Sequence, residues 1–587
     1  IQIRRLAPFF HAFHTNMADR AAERRQNPDV VLLSPGPDSR IYFEHALLSR
    51  YLGYPLVEGQ DLTVRNGEVF LKKLAGLEPV DAIVRHVADE RIDPFGLRLG
   101  SGNGVAGLIQ ACRDGNVGVV NPIGSGFVDT PVLTAFLPAL CRRLMGADLL
   151  LESHRVWWCG DAQARGHVLG NREQLDIRWA MQQNPGSKPN GREGNDPAAL
   201  IGEAPHLVMA REPVRPATVP AWNPDSVGPR YALLRVFACA TADGFAVMPG
   251  GLAITAGDVT GLLGDTPEQQ QSKDIWIYSD RPVTHFSLMS SLQTVSGFNR
   301  GSDLPSRVAD HLFWLGRYLE RAEGLIRLLR SVFRRVSGET RLADVPEFPF
   351  LINLLRSENT IPDMPDGSEA IPRYRELSRQ LNAALYRQDT PQSVVAVLKR
   401  VQTAARNVRD RLSLDSWRVI NRLDDFADSA TGDPLDLLEE TLFTLSAFSG
   451  LAMESMTRGL GWRFMDMGRR VERAINQTRL IRLGLPRVCT HSRSALEALL
   501  EVSDSIMTYR ARYRTAFQLA PVMDLLVLDE TNPKSLVFQC GQIDEKAVAG
   551  DGLKTFPKLV RFRNPLDAAV GSHGASDGIA CMQVLRK

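Results

Sequence analysis

Residues 316–322 read GRYLERA and residues 468–474 read GRRVERA, so one short pattern occurs at two distant places in the chain. Their separation is far larger than a solenoid period, and it indicates two equivalent helices of one bundle. Around the first copy, apolar residues recur at spacings of three and four from Val308 to Phe333, which predicts a long amphipathic helix. Further helical patterns cover 372–388, 392–412, 434–456, 462–483 and 491–517. The second half is therefore predicted to be an all-α, antiparallel helical bundle.

The charged residues of the repeat predict contacts between its two helices. Neighbouring residues on a helix point about 100° apart, so a Glu-Arg dipeptide pairs poorly within itself. We predict a structural charge cluster that fixes helix register, in which Glu320 meets Arg473 and Glu472 meets Arg321. Two alternatives stay open. In the first alternative the four side chains are solvated charges on good helix formers. In the second they build a ligand site.

The first half alternates short apolar stretches with helical ones, which is typical of an α/β layer arrangement with a largely parallel sheet. The predicted elements are strands at Val30–Leu33, Ala82–Val84 and Val117–Val120, a helix at Tyr42–Leu52, and a hairpin of Tyr231–Ala240 with Gly244–Met248. Residues Gln182–Pro197 are rich in Asn, Gly and Pro and predict a mobile loop.

The composition is that of an ordinary globular chain and excludes several functions. The 587 residues suffice for about two to four domains, and 44% of them are apolar and 23% charged. A formal net charge of +2 offers no field that would recruit nucleic acid or an anionic membrane. No apolar run reaches bilayer length, and seven scattered cysteines without metal-ligand spacing indicate free thiols. These features predict a cytoplasmic protein.

Several longer motifs carry a family resemblance. Residues 34–63 read SPGPDSRIYFEHALLSRYLGYPLVEGQDLT and resemble the circularly permuted ATP-grasp family of carboxylate–amine ligases. The order of that family continues with Asn121–Gly126, Trp157–Gly160, Leu234–Phe237, Val247–Leu252 and Ser272–Trp276. The second half, through the two Glu-Arg repeats to Asn532–Ser535, resembles the alpha-E domain, an all-helical module named for that motif.

The resemblance implies an α/β plus all-α fold, a partial circularly permuted ATP-grasp region followed by an antiparallel alpha-E bundle. The implied domains are 1–30 as the helical end of an upstream segment, 31–145 as a pre-ATP-grasp-like substrate lobe, 146–300 as an ATP-grasp-like nucleotide lobe, 305–547 as the alpha-E bundle and 548–587 as an irregular tail. Because the chain starts at Ile1 inside a predicted helix, Ile3–Ala22, we expect it to be a piece of a longer protein. The acidic residues that hold magnesium are then expected upstream.

The activity that the resemblance implies uses ATP and Mg²⁺ and has two steps. ATP phosphorylates a carboxylate, and an amine then attacks the acyl phosphate to give an amide. The expected partners are small-molecule or peptide carboxylates and amines, with no nucleic acid and no membrane. The alternative is a non-catalytic scaffold whose helical bundle docks a protein partner. It is favoured by the stretch after Arg178, which departs from the family pattern.

Three residues of strands are the first candidates in the nucleotide lobe. By the resemblance, Arg178 faces the nucleotide phosphates, and its alternative is a surface arginine. Glu212 matches a glutamate near the adenine or ribose, although Arg211 stands where the family has Gln. Arg235 lies on a strand predicted to be buried, where an arginine needs an anionic partner or ligand. Arg178 and Arg235 are predicted to point into one shared cleft.

The remaining candidates are a lysine and several residues of turns. Lys273 is assigned, with Arg235, to catalysis, and its alternative is a loop salt bridge with Asp274. Gly250 and Gly251 permit close approach of a ligand, although a tight turn explains them as well. The resemblance assigns Ser34, Gly36 and Asn121 to substrate binding. The SPGP turn follows a predicted strand at the sheet edge where α/β proteins bind ligands, and Asp38 or Ser39 are candidates to cap the next helix.

Overall fold

The structure is a computed structural model that describes residues 2–22, 29–96, 104–181, 197–223, 226–263, 270–286, 288, 304–338, 341–362, 374–428, 432–488, 493–514 and 516–548. The chain forms two compact units. The first unit comprises Ile1–Ser34, Tyr51–Val69 and Pro79–Ser296, and the second comprises Pro35–Arg50, Phe70–Glu78 and Gly297–Lys587.

Most strands lie in the first half of the chain. The strands are β1 (Gln2–Ile3), β2 (Val30–Leu33), β3 (Leu56–Val57), β4 (Leu62–Arg65), β5 (Glu68–Lys73), β6 (Gly76–Pro79), β7 (Ala82–Arg85), β8 (Gly118–Val120), β9 (Val156–Trp158), β10 (Asp176–Trp179), β11 (Val208–Arg211), β12 (Thr218–Asn223), β13 (Ser226–Arg235), β14 (Ala238–Thr241), β15 (Gly244–Val247), β16 (Gly250–Ala256), β17 (Gln270–Trp276) and β18 (Tyr278–Ser279).

Helices dominate the second half. The α-helices are α1 (Ala7–Ala22), α2 (Tyr42–Leu52), α3 (Leu108–Arg113), α4 (Leu137–Met145), α5 (Ala162–Gly170), α6 (Val259–Leu263), α7 (Ser306–Val336), α8 (Phe348–Ser357), α9 (Tyr374–Tyr386), α10 (Val394–Arg406), α11 (Leu414–Asn421), α12 (Asp425–Asp428), α13 (Pro434–Ser455), α14 (Leu460–Val488), α15 (Arg493–Val502), α16 (Ile506–Tyr513), α17 (Leu519–Met523) and α18 (Leu536–Val548). The α/β plus all-α class is confirmed.

A parallel sheet with the strand order β3-β2-β7-β8 lies in the first unit. All four side chains of β2 are buried, and so are the first three of β7. Strands buried on both faces read as unbroken apolar runs, which is why the sequence identified them. Because the strands are parallel, Leu33, Arg85 and Val120 end at the same edge of the sheet.

The first unit also contains antiparallel sheets, among them those with the strand orders β10-β11-β9 and β12-β13-β16-β17. The predicted hairpin is only partly correct. Its first strand is divided, so that Tyr231–Arg235 ends β13 and the hairpin is β14 with β15. Gly244 has a φ of +139°, which suits the turn between these two strands. Of the predicted loop at 182–197, only Pro197 lies within the described residues.

The bundle has more helices than the sequence predicted. The pattern at 491–517 is two helices, α15 and α16, because Asp504 takes a left-handed conformation (φ +55°) between them. Helix α8 is not among the predicted helices, and six of its ten residues are buried apolar side chains. The predicted tail from 549 onward lies outside the described residues.

Two long helices, α7 and α14, form the centre of the bundle. Helix α7 also packs against α10 and α13, and its apolar face is buried from Val308 to Val332. The apolar positions predicted from the sequence, including Leu312, Leu315, Leu319 and Leu329, belong to one hydrophobic core. Burying such side chains contributes roughly 1.5–3 kcal/mol each relative to exposing them.

The glycines of the two repeats are where these helices touch. A Cβ atom on Gly316 would lie 2.0 Å from the carbonyl oxygen of Met465, and a Cβ on Gly468 would lie 2.0 Å from that of Phe313. The contacts are reciprocal, so the two copies of the pattern face each other. Glycine is required at both positions because the backbone of the partner helix occupies the space of a side chain.

Substitution of Gly316 by Ala is expected to destabilise the bundle. The added methyl group meets backbone atoms that cannot move aside without parting the helices, so we expect a loss of about 1–3 kcal/mol or more. The matched control is Gly450→Ala on α13, where an added Cβ meets nothing within 4 Å, and it should be neutral or stabilise by up to about 1 kcal/mol. Guanidinium unfolding followed by circular dichroism at the helical band measures both. Equal midpoints for the two variants would contradict the crossing.

Candidate functional site

Arg85 is a buried arginine at the carboxyl edge of the parallel sheet, with a side chain that is 7% exposed. It is the last residue of β7. Its Nε donates to the carbonyl of Asn121 at 2.6 Å, and its Nη2 donates to the carbonyl of Pro122 at 2.8 Å and to Ser125 Oγ at 3.1 Å. One guanidinium group therefore holds the loop that follows β8.

Asp89 completes this arrangement from the other side. Its carboxylate lies 2.7 Å from Arg85 Nη2. It also accepts hydrogen bonds from the amides of Gly124 at 3.0 Å and Gly126 at 2.9 Å. A Cβ on Gly126 would approach this carboxylate to 2.6 Å, so the close contact needs glycine there. The pair holds the loop by its backbone and leaves the exposed Asn121 side chain at the sheet edge.

Sequence reasoning assigned the loop residue Asn121 but missed Arg85 and Asp89. A signal existed, because an arginine directly after a buried apolar run, with an acid four residues later, is unusual at a strand end. Ser34, which ends its strand run at the same edge, is fully buried, and its amide donates to the carbonyl of Val57 at 2.8 Å.

The SPGP turn leads into α2 through its backbone. Gly36 has a φ of +105°, and its carbonyl accepts from the amide of Ser39 at 3.1 Å. The carbonyl of Ser39 in turn accepts from the amide of Tyr42 at 3.0 Å. These hydrogen bonds explain the turn without a ligand. Substrate binding by Ser34, Gly36 and Asn121 stays a prediction.

Arg178 lies on β10 of the sheet β10-β11-β9, and Glu212 lies directly after β11 of the same sheet. Arg178 Nε donates to Asp176 at 2.8 Å, and the same carboxylate accepts from Arg211 Nε at 3.0 Å across the β10–β11 pair. The Arg178 side chain is 44% exposed. Glu212 follows β11 and is exposed. The cluster holds two cations and one anion and so keeps a positive charge at the surface.

Arg235 does not lie on a buried strand, and that prediction is wrong. It ends β13 in the four-stranded sheet, its side chain is exposed, and its neighbours Leu234 and Val236 are 64% and 67% exposed. Its guanidinium carbon lies 5.5 Å from the ring centre of Phe237. An apolar run alone cannot distinguish a buried strand from an apolar surface. Arg178 and Arg235 thus lie on different sheets, and both are exposed.

Gly250, Gly251 and Lys273 share the sheet of Arg235. A Cβ on Gly251 would lie 2.5 Å from the carbonyl oxygen of Arg235, so this glycine serves the packing of neighbouring strands. Gly250 and Gly251 begin β16 and do not form a turn. Lys273 is on β17 and not in a loop, and its Nζ donates to the carbonyl of Pro220. A Lys273–Asp274 salt bridge, which was the alternative to a catalytic role, is not found among the described residues, and Asp274 accepts from Trp276 Nε1 at 2.7 Å.

A metal site was expected upstream, and the described part of the chain holds no group of three or more His, Cys, Asp or Glu residues arranged to bind a metal ion. Among the same residues, no helix is long and apolar enough to cross a membrane. Five cysteines in the described ranges are free thiols, namely Cys112, Cys141, Cys159, Cys239 and Cys540.

The two Glu-Arg repeats form a reciprocal charge cluster between α7 and α14. Glu472 is fully buried and accepts from Arg317 at 2.5 Å and from Arg321 at 2.6 Å. Both predicted interhelical pairs are present, so the reading of these residues as four solvated charges does not hold.

The second half of this cluster mirrors the first. Glu320 accepts two hydrogen bonds from Arg473, at 2.5 and 2.7 Å, and lies 3.5 Å from Arg469. Each glutamate therefore meets two arginines of the other repeat.

Glu320 is held in its charged form by its arginine partners. Burial alone raises the pKa of Glu320, but the charge and hydrogen bonds of Arg473, helped by Arg469 and Lys534, lower it to about 2. Burial lowers the pKa of Arg473, but Glu320 more than offsets this effect, so its net shift is upward. A buried carboxylate with complete hydrogen bonding is costly to disturb, because removing one partner strands the other charge.

Glu472→Gln is expected to destabilise the bundle by about 3 kcal/mol, because it leaves Arg317 and Arg321 without a counter-charge at a fully buried position. The matched control is Glu376→Gln, which removes an exposed i,i+3 pair with Arg379 and should leave stability nearly unchanged. Chemical unfolding of both variants measures the difference. A loss for Glu472→Gln no larger than for the control would show that the pair is solvated.

The depressed pKa of Glu320 predicts an acid-sensitive bundle. Its unfolded pKa is near 4.5 and its folded pKa about 2, so its contribution is fully present above about pH 4.5 and is lost as the pH falls towards 2. The free energy of unfolding of wild type and Glu320→Gln should therefore converge over that range. Unfolding curves recorded between pH 5 and about pH 2.5 test this, and a constant difference between the two proteins would refute it.

Comparison with known families agrees with both halves of the chain. Residues 1–256 match the family model of circularly permuted ATP-grasp type 2. Residues 304–552 match the Alpha-E model, described as a predicted alpha-helical domain with a conserved ER motif.

Bacterial proteins are similar to the whole or to part of this chain. Uncharacterised proteins of Mycobacterium tuberculosis and Mycobacterium bovis are each 31% identical over 576 residues, covering 94% of this chain and 65% of the relative. A Synechocystis protein is 31% identical over 257 residues, covering 43% of this chain and 53% of its own. The chain thus spans 65% of the length of the mycobacterial relatives. The chain thus has a region of the circularly permuted ATP-grasp type 2 family followed by an alpha-E domain.

Proposed function

We propose that the protein containing this chain is an ATP-dependent carboxylate–amine ligase. ATP transfers its γ-phosphoryl group to a carboxylate, giving an acyl phosphate and ADP. An amine then attacks the acyl carbon, and phosphate leaves as the amide forms. The substrates are a small-molecule or peptide carboxylate and an amine, and we place the reaction in the cytoplasm, where free thiols stay reduced.

The observation that carries this proposal is the match of residues 1–256 to the permuted ATP-grasp family. The organised sheet edge supports it. Arg85 and Asp89 hold the loop after β8 through its backbone, so the exposed Asn121 amide is presented at the carboxyl ends of parallel strands, where ligands bind in open α/β sheets. In this proposal Asn121 contacts the substrate, and Arg85 is a positioning residue.

The remaining residues take supporting roles in the proposal. Arg178, beside Arg211, offers positive charge to a nucleotide phosphate, with Glu212 near the base or ribose. Arg235 and Lys273 are proposed for charge stabilisation during transfer, and the backbone at Gly250 and Gly251 for contact with the nucleotide. Because the described residues include no carboxylate cluster that fits magnesium, we assign no step through the metal to this chain.

Hydroxylamine makes the reaction testable without knowing the amine. The full chain is incubated with Mg-ATP, hydroxylamine and a pool of amino acids and dipeptides as carboxylates, and the hydroxamate and ADP formed are measured. We expect both products in equal amounts, and a loss of about tenfold or more in Asn121→Ala, which removes a hydrogen bond to a charged group. The matched control, Arg142→Met, removes a 70% exposed arginine and should leave the rate unchanged.

Absence of hydroxamate with this chain and also with the full-length mycobacterial relative would contradict a ligase of this type. Product with the relative alone would mean that the remaining third of the protein supplies residues needed for the chemistry. If both proteins form hydroxamate and Asn121→Ala does not lower the rate, Asn121 and the sheet edge are not part of the substrate site.

A non-catalytic scaffold is the second candidate, and the exposure of Arg178 and Arg235 on separate sheets favours it. Calorimetric titration with Mg-ATP separates the two functions. A scaffold should show no heat of nucleotide binding in the chain or in its full-length relative, and binding that weakens in Arg178→Ala would exclude it.

A further inference from the structure

A pocket opens in the bundle next to the charge cluster. Residues of both Glu-Arg repeats line it, Glu320 from the first and Arg473 from the second. Glu358, Gln477 and Lys534 also line it, together with the polar residues Arg327, Asn476 and Ser503. The pocket thus joins the two repeats with a third motif singled out in the sequence, Asn-Pro-Lys-Ser at 532–535.

The Asn-Pro-Lys-Ser turn is built to place its lysine. Asn532 is buried, donates to the carbonyl of Leu525 at 2.7 Å and accepts from the amide of Lys534 at 3.0 Å. The carbonyl of Pro533 accepts from Arg473 Nη1 at 3.3 Å. The turn is therefore tied to the second repeat by the same arginine that holds Glu320.

Three polar groups of the wall have spare hydrogen-bonding capacity. Gln477 is 6% exposed, and its Nε2 has no hydrogen-bond partner among the described residues. The carboxylate of Glu358 makes no hydrogen bond or ion pair within the described part of the chain. Lys534 has one distant ion pair, 3.5 Å to Asp504, for an ammonium group with three donors. Buried polar groups left in this state are costly unless a ligand or water satisfies them.

Lys534 and Glu358, two charged residues of the wall, have different charged neighbours. Burial lowers the pKa of Lys534, with further contributions from Arg473 and Arg327, and Glu320 and Asp504 oppose them. Burial raises the pKa of Glu358, and the charges that act on it are instead Arg479, Glu472 and Arg321. The wall of the pocket therefore presents an ammonium group, an amide donor and a carboxyl group.

We propose that this pocket binds a small zwitterion of the amino-acid class, with its carboxylate against Lys534 and Gln477 and its ammonium group against Glu358. Such a ligand satisfies the spare donors of Lys534 and Gln477 and the spare acceptor of Glu358. A simple anion would leave Glu358 unpaired, and a simple amine would leave Lys534 and Gln477 unpaired. The inference does not depend on ligase activity, because it concerns binding without ATP.

Isothermal titration of the full chain tests the proposal with three probes: L-alanine carries both charges, acetate only the carboxylate and methylammonium only the amine. We expect millimolar or tighter binding of L-alanine, and affinity at least about tenfold lower for either single-charge probe, since each omits one charge-assisted contact. Glycylglycine distinguishes a free amino acid from a peptide as the better ligand.

Variants assign the contacts. Lys534→Met should weaken L-alanine binding by about tenfold or more, and Glu358→Gln should weaken L-alanine but leave acetate unchanged. Lys399→Met and Glu376→Gln, on exposed parts of α10 and α9, are the matched controls and should change nothing. Circular dichroism confirms that each variant is folded.

Three results would overturn the proposal. These are no binding of L-alanine at about 10 mM to the folded chain, acetate binding as tightly as L-alanine, or unchanged L-alanine affinity in both Lys534→Met and Glu358→Gln.

Discussion

The helical half of this protein depends on one close crossing, at which Gly316 and Gly468 let α7 and α14 meet backbone to backbone. At this distance water cannot separate the helices, so the charged residues four and five positions further along must pair directly. Each glutamate receives two arginines from the opposite repeat. The seven-residue pattern is thus one device used twice: a glycine for approach, and an Arg, Glu and Arg for reciprocal pairing.

A buried ion cluster of this kind does not necessarily stabilise a fold more than apolar residues of the same size. Its stronger effect is on specificity, because a shift of one helix along the other would separate every pair at once. The same arginine, Arg473, bonds both to Glu320 and to the carbonyl of Pro533. The cluster therefore also orients the turn that carries Lys534, and a structural crossing and a polar pocket share one set of side chains.

In the α/β half, two side chains likewise organise a whole loop at the edge of the parallel sheet. A single buried arginine and its acid shape the loop after β8 through backbone hydrogen bonds. This rigid edge contrasts with the antiparallel sheets, where Arg178 and Arg235 are exposed and the side chains around Arg235 are apolar and open. The proposed nucleotide roles of these residues rest on the family match alone, whereas the loop at the sheet edge is held by hydrogen bonds seen in the structure.

The sequence by itself determined the elements and the family. The three- and four-residue spacing from Val308 to Phe333 predicted α7, the run Val30–Leu33 predicted a buried strand, and the ordered motifs predicted the two family matches. These signals are local, because a helix or strand repeats its apolar residues with its own period. The repeat even predicted the partners of Glu320 and Glu472.

Only the tertiary structure decided which polar groups stay incomplete and which apolar runs stay open. Arg85 lies beside the loop after β8, Gln477 Nε2 has no hydrogen-bond partner among the described residues, and the strand around Arg235 is exposed. Each of these features depends on which elements pack together, and the periodicity of the sequence does not predict that packing. Burial and hydrogen bonding of a side chain depend on residues far away in sequence, so they emerge only once the chain is folded.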